Sequence, residues 1–236
     1  MPLVAVIAGS GITIGTPIGE RVHFDSIPGV PATTVAGHNG TIGMQQIGTR
    51  QALVMSGRLH SYEGHSQTTL ARPLEYLKSQ GVTHLIVTSA VGALNRSLQA
   101  ADVTIVDDVI GMIDSLGTAG RFPVNRDWAG ATREACLRKG LGLRSVTYVQ
   151  TRGPQYETRA EIRMFRRMGA DVIGMSMVPE LTAARTLGLS CIALAVVTNT
   201  TSEVQLPVLG HHHVLHAAAQ AARTTAEVIE SAIFAA

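Results

Sequence analysis

Six short, nearly all-apolar and largely β-branched runs punctuate the chain: Leu3 to Ala8, Ala52 to Met55, His84 to Thr88, Val103 to Val106, Val146 to Val149 and Cys191 to Val197. Each is short enough for a strand, and each is apolar on both faces of an extended backbone. That is the pattern of a sheet covered on both sides. Between the runs stand stretches with helical spacing. Thr68 to Lys78 places Leu70, Pro73, Leu74 and Leu77 on one face; Thr158 to Met168 does the same with Ile162, Phe165 and Met168, and Gly169 stops it. Pro179 to Leu187 opens on a proline and closes before Gly188, and a long Ala-rich helix is expected from about Val208 to Ile233. Strands alternating with helices predict an α/β fold: one domain over residues 1–236, with a mixed, largely parallel central sheet flanked by helices.

Composition removes several classes of function. The chain is 45% hydrophobic and 15% charged, which excludes disorder. Its net charge is only +2, no Lys/Arg-rich run follows a phosphate backbone, and aromatics are few, so no nucleic-acid partner is expected. A pI near 8.7 suits a small anionic ligand without requiring one. No apolar run has the length of a bilayer span, so no membrane partner is expected. Cys136 and Cys191 are too few for a disulfide framework. Met1 to Ala8 runs straight into Gly9-Ser10-Gly11 and reads as a buried first strand, not as a signal peptide. The cytoplasm is the expected compartment.

In open α/β sheets, ligands bind at the carboxyl ends of strands. Here those ends carry polar groups: Gly9-Ser10-Gly11, Gly57-Arg58-Leu59-His60, Ser89-Ala90-Val91-Gly92 and Thr198-Asn199. Gly9-Ser10-Gly11 is either an ordinary glycine turn or one whose N–H groups and hydroxyl converge on an anion. Alternation after a strand would put Arg58, His60 and Tyr62 on one side, an arrangement suited to phosphate. Glu63 would hold the imidazole in one tautomer; the same loop also reads as a polar surface turn. Glu157, beside Tyr156, is either a first-turn helix acid or a hydrogen-bond acceptor for a flat heterocycle. Ser176 is either a helix cap or a ligand group, and Thr198-Asn199 a turn or a ligand contact. His211-His212-His213 is not expected to bind metal, because three adjacent histidines cannot face one ion from a helix.

The identity and order of these motifs closely resemble the trimeric purine nucleoside phosphorylase and methylthioadenosine phosphorylase family. The resemblance is carried by Gly57 to Gly64, Gly153 to Glu161, Gly169 to Ser176, Val178-Pro179-Glu180 and Val197-Thr198-Asn199. It implies a phosphate site of Ser10, Arg58, His60, the backbone around Ala90, and Ser176. It implies a nucleoside site in which His38 lies near phosphate and ribose, Tyr62 and Met175 touch the ribose, and Tyr156, Glu157, Ile173 and Asn199 surround the base. His211 would stand near the 5′-hydroxyl, and Phe122 would be lent to the ribose pocket by a neighbouring subunit of a homotrimer. His60, Glu63, Glu157 and Asn199 are the implied catalytic set.

The implied reaction is phosphorolysis of inosine or guanosine to the free purine and ribose 1-phosphate, with phosphate as co-substrate and neither metal nor organic cofactor. Other readings are a 5′-methylthio-nucleoside or xanthosine phosphorylase, a hydrolytic nucleosidase, and a non-catalytic nucleoside-binding protein. The chain departs from the family where Asn is common and Ser89 stands, and where a His and an Asn give way to Val109 and Gly111. The segment between Asp107 and Thr151 is shorter than in typical members.

Overall fold

In the computed structural model, residues 2–35, 38–112, 124–201 and 211–236 are described, the side chains of 211–213 excepted. Strand β1 (Val4–Ala8) lies between β4 (Arg50–Ser56) and β5 (His84–Ala93), parallel to both. Its alternate residues divide between two cores, with Ala5 and Ile7 on one side and Val4, Val6 and Ala8 on the other. That is why the run is apolar throughout. Helices α1 (Gln67–Ser79) and α4 (Val178–Thr186) cover the first side. The second is covered by α2 (Arg126–Arg138) and α5, described over His211–Phe234.

Beyond β5 the sheet closes on itself. β5 pairs in parallel with β9 (Ser190–Thr200), β9 runs antiparallel to β6 (Val103–Gly111), and β6 is parallel to β7 (Arg144–Gln150). β7 pairs with the short β8 (Val172–Gly174), which returns antiparallel to β5. On the other side of β4, β3 (Thr41–Ile47) and β2 (Thr16–His23) extend the sheet as antiparallel strands. The sheet is therefore mixed, with parallel pairs concentrated around β1 and β5.

Several boundaries differ from the apolar runs. β2 and β3 have no such run: β2 is exposed along most of its length, and β3 carries Gln45 and Gln46. β5 and β9 continue past Thr88 and Val197, so Ser89 to Gly92 and Thr198-Asn199 lie within strands instead of after them. Where these two strands run together the register slips: Val91 faces Val197 but Gly92 faces Asn199. The extra residue, Thr198, makes a β-bulge, a device that re-aims side chains at a sheet's rim. Helix α2 is set by Asn125, whose Oδ1 accepts from the Trp128 N–H at 3.0 Å. The short α3 (Arg159–Arg167) is capped by Thr158, whose hydroxyl accepts from Glu161 N–H.

Candidate active site

The carboxyl ends of β1, β4, β5, β8 and β9 surround a cavity of about 480 Å³. Arg58, in the turn after β4, is its most constrained residue. It is 1% exposed, and a buried guanidinium requires opposing charge and acceptors. Glu180 supplies the charge from α4, its Oε1 lying 3.4 Å from Arg58 Nε, while the Thr88 carbonyl accepts from Nη2. Nη1 has no hydrogen-bond partner among the described residues, and Arg58 lines the cavity. A buried donor left over after its ion pair is formed is suited to an anionic ligand.

Ser10 reaches the same end of the cavity through a relay. The Arg58 N–H donates to His38 Nδ1 at 2.9 Å, and His38 Nε2 lies 2.9 Å from Ser10 Oγ. Nδ1 is also 3.0 Å from the Arg58 carbonyl, but a proton there would oppose the Arg58 N–H. We therefore assign the proton to Nε2, donating to Ser10 and turning the serine hydroxyl proton toward other acceptors. His38 thus stands behind Ser10 and is not among the lining residues.

His60 and Tyr62 converge through a 3-10 turn (Ser61–Glu63), not through strand alternation. Their rings stack at 4.7 Å with 19° between planes, and both line the cavity. Burial, and then the charges of Arg58 and His38, hold the His60 pKa down to about 2, so the ring is neutral and offers one N–H. Burial and the Glu63 carboxylate push the Tyr62 phenol up to about 12. Glu63 is placed differently from its expected role. Its Oε2 accepts from the His60 backbone N–H at 2.6 Å and stands 3.6 Å from the ring Nδ1, so it anchors the turn more directly than the imidazole. Its other oxygen accepts from the Thr34 hydroxyl at 2.7 Å.

Ser176 completes this end. It does not cap α4: the N-cap is Met177, which makes no side-chain cap bond and holds a φ of 84°, a conformation unfavourable for a side chain with a Cβ. Instead, Ser176 Oγ lies 3.0 Å from Ser89 Oγ, and its backbone is gripped by buried Tyr148, whose hydroxyl donates to the Ser176 carbonyl and accepts from its N–H. Ala90 lines the wall beside them.

The opposite end is lined by Tyr156, Glu157, Ile173 and Asn199, with Met175 between. Glu157 precedes the cap residue Thr158, and the first-turn acid of α3 is Glu161. Glu157 Oε1 accepts from the Thr151 hydroxyl at 2.9 Å. Burial raises the Glu157 pKa, opposed by its own backbone N–H and by Thr151. Gly153, at a φ of 69°, brings this loop so close that a Cβ would collide with Met175 and crowd Tyr62.

The structure therefore gathers Ser10, Arg58, His60, Tyr62, Ala90, Tyr156, Glu157, Ile173, Met175, Ser176 and Asn199 around one cavity and sets His38 and Glu63 just behind its wall. Phe122 and the side chain of His211 lie outside the described residues. Glu180, Tyr148 and Thr151 had no role assigned from sequence. Only Glu180 left a signal there: an acid set among Val178, Pro179 and Leu181 has no polar face to occupy and must meet a buried cation.

Residues 4–233 match the family model described as the phosphorylase superfamily. Purine nucleoside phosphorylase 1 of Geobacillus stearothermophilus is 36% identical, over 91% of this chain and 84% of that protein. A Schistosoma purine nucleoside phosphorylase in complex with guanosine superposes with a TM-score of 0.85 at 32% identity, covering 98% of this chain and 90% of that one. The Schistosoma mansoni enzyme in complex with adenosine gives 0.84 at 32% identity, with 98% and 90% coverage. The cavity and these likenesses agree: the chain belongs to the phosphorylase superfamily, among the purine nucleoside phosphorylases.

Proposed function

We propose that this protein cleaves purine nucleosides by phosphorolysis, releasing the base and ribose 1-phosphate, with inosine and guanosine used ahead of adenosine. The observation that carries this reading is the buried Arg58, paired to Glu180 yet keeping Nη1 unpartnered among the described residues, at one end of a cavity whose other end holds Glu157 and Asn199. Phosphate takes the Arg58 end, with donors from Ser10, Ser176 and the neutral His60. The ribose lies between Tyr62 and Met175, and the base lies against Tyr156 and Ile173.

As the glycosidic bond lengthens, positive charge develops on the ribose and negative charge on the purine. The phosphate dianion stabilises the first and then bonds to the anomeric carbon. An Asn199 N–H near N7 and O6 stabilises the second, a donor aimed at charge that appears only in the transition state. Glu157 accepts from N1–H of a 6-oxopurine. The reaction so drawn uses inorganic phosphate as co-substrate and neither metal nor organic cofactor. Because structural neighbours are held in complex with adenosine as well as with guanosine, the preference is a claim about kcat/KM, not about occupancy.

A homotrimer is expected, with Phe122 donated across the subunit interface; sedimentation showing a fully active monomer would overturn it. The cytoplasm suits two buried cysteines that form no disulfide, and no helix among the described residues is long and apolar enough to cross a membrane. The activity is tested by hypoxanthine release from inosine with and without phosphate or arsenate. Release only with the anion is expected, and equal release without it would make the protein a hydrolase.

A further inference from the structure

Glu157 accepts from N1–H of a 6-oxopurine most strongly when ionised, with both oxygens acceptors, and among the described residues Thr151 contacts it from outside the cavity wall. Thr151 follows β7, and its N–H donates to the Gly174 carbonyl at 2.9 Å, fixing it to the end of β8. Its hydroxyl donates to Glu157 Oε1 at 2.9 Å, leaving Oε2 for the base. Resting on the phosphorolysis reading above, we propose that Thr151 is a positioning residue that holds Glu157 as an oriented anion and so biases the pocket toward 6-oxopurines.

The chemistry is a competition for one carboxyl group. Burial favours the neutral acid, while the Thr151 hydroxyl and the Glu157 backbone favour the anion. Among the described residues, the other ionisable groups on its own loop and on α3 include Tyr156, pushed up by burial and then by Glu157 itself, and Glu161, whose carboxylate is occupied by Thr158. Across the cavity stand Arg58, His60 and Tyr62, and from β9 comes Asn199, which does not titrate. A protonated Glu157 has the reverse preference: it donates to the bare N1 of a 6-aminopurine and offers that oxygen no longer to N1–H. The contact that sets the low-pH limb of activity therefore also sets base selectivity.

The test is Thr151→Val, which removes the donor and nearly keeps the shape, beside Thr151→Ser, which keeps a donor. Two readouts are used: the carboxyl titration of Glu157 by carbon-13 NMR, assigned with Glu157→Gln, and kcat/KM against pH for inosine and adenosine. Thr151→Val should raise the Glu157 titration and the acidic limb for inosine by about one pH unit, the weight of one hydrogen bond to a charged group. The adenosine-to-inosine ratio should rise about tenfold near the shifted limb. Thr151→Ser should stay near the unmodified protein, and the KM for phosphate should not move in either. A folded Thr151→Val protein with unchanged titration and an unchanged ratio would overturn the proposal. An unmodified protein that lacks phosphorolysis, but whose Glu157 titration moves in Thr151→Val, would sink the activity and leave the positioning role standing.

Discussion

The two ends of the cavity are built on opposite principles. At the phosphate end the polar groups are buried or half-buried and bonded to one another across the fold: Arg58 to Glu180 and Thr88, His38 to Ser10, Tyr148 to Ser176. At the base end the groups stand on a loop and a strand rim, Tyr156 is 47% exposed, and among the described residues Glu157 has one side-chain partner, Thr151. The difference follows from what each end must recognise. A dianion gives up much of its hydration on binding, so its site must hold opposed dipoles and charge in place beforehand. A purine brings flat apolar area and a few edge groups, so two well-placed hydrogen-bonding side chains suffice to sort one base from another.

If that contrast is right, substitutions at the phosphate end should cost the most and affect every nucleoside alike. Arg58→Ala removes the charged donor and strands Glu180, and breaking a buried pair costs about 3–5 kcal/mol. Phosphate-dependent kcat/KM should fall by roughly 10²–10³-fold on inosine and adenosine equally; a loss confined to one nucleoside would break the comparison.

Glu180→Gln is the second. It leaves the Arg58 charge buried without its counter-charge, so the variant should melt lower by several degrees, on the order of 2–4 °C per kcal/mol for a chain of this size. Phosphate should restore more of the melting temperature in this variant than it adds to the unmodified protein. Equal phosphate stabilisation of both proteins would show that Glu180 does not balance Arg58.

Changes at the base end should be smaller and selective. Glu157→Ala leaves N1–H unpaired, a cost of about 1–3 kcal/mol, so inosine turnover should fall roughly 10–100-fold while adenosine turnover changes little. Asn199→Asp should shift preference toward adenosine, because a carboxylate accepts from a 6-amino group. Parallel losses on both nucleosides would remove these two residues from base recognition. The mildest change expected is Ser10→Ala, which deletes one neutral donor of several; about a fivefold rise in the KM for phosphate corresponds to about 1 kcal/mol. No rise would mean that the His38 relay orients a hydroxyl the ligand does not use.

The same contrast explains what could be read from sequence. Strands buried on both faces announce themselves as apolar runs, so β1, β4, β5, β6, β7 and β9 were legible in it. β2 and β3 were not, because an exposed or half-polar antiparallel strand has no such signature. The polar residues at strand ends could be found by type and order, but their mutual bonds could not. That Glu180 meets Arg58 depends on the fold bringing α4 within reach of the turn after β4, a contact 122 positions apart in the chain (180 less 58). The bulge at Thr198 depends on pairing register, which local sequence leaves open, and the 3-10 turn after His60 breaks the alternation expected there.

Phosphorolysis requires that phosphate itself become bonded to the sugar. The most direct measurement follows inosine and phosphate with the purified protein by phosphorus-31 NMR while hypoxanthine is quantified. Ribose 1-phosphate should appear in step with hypoxanthine, one for one. Hypoxanthine accompanied by free ribose, with the phosphate resonance unchanged, would contradict it.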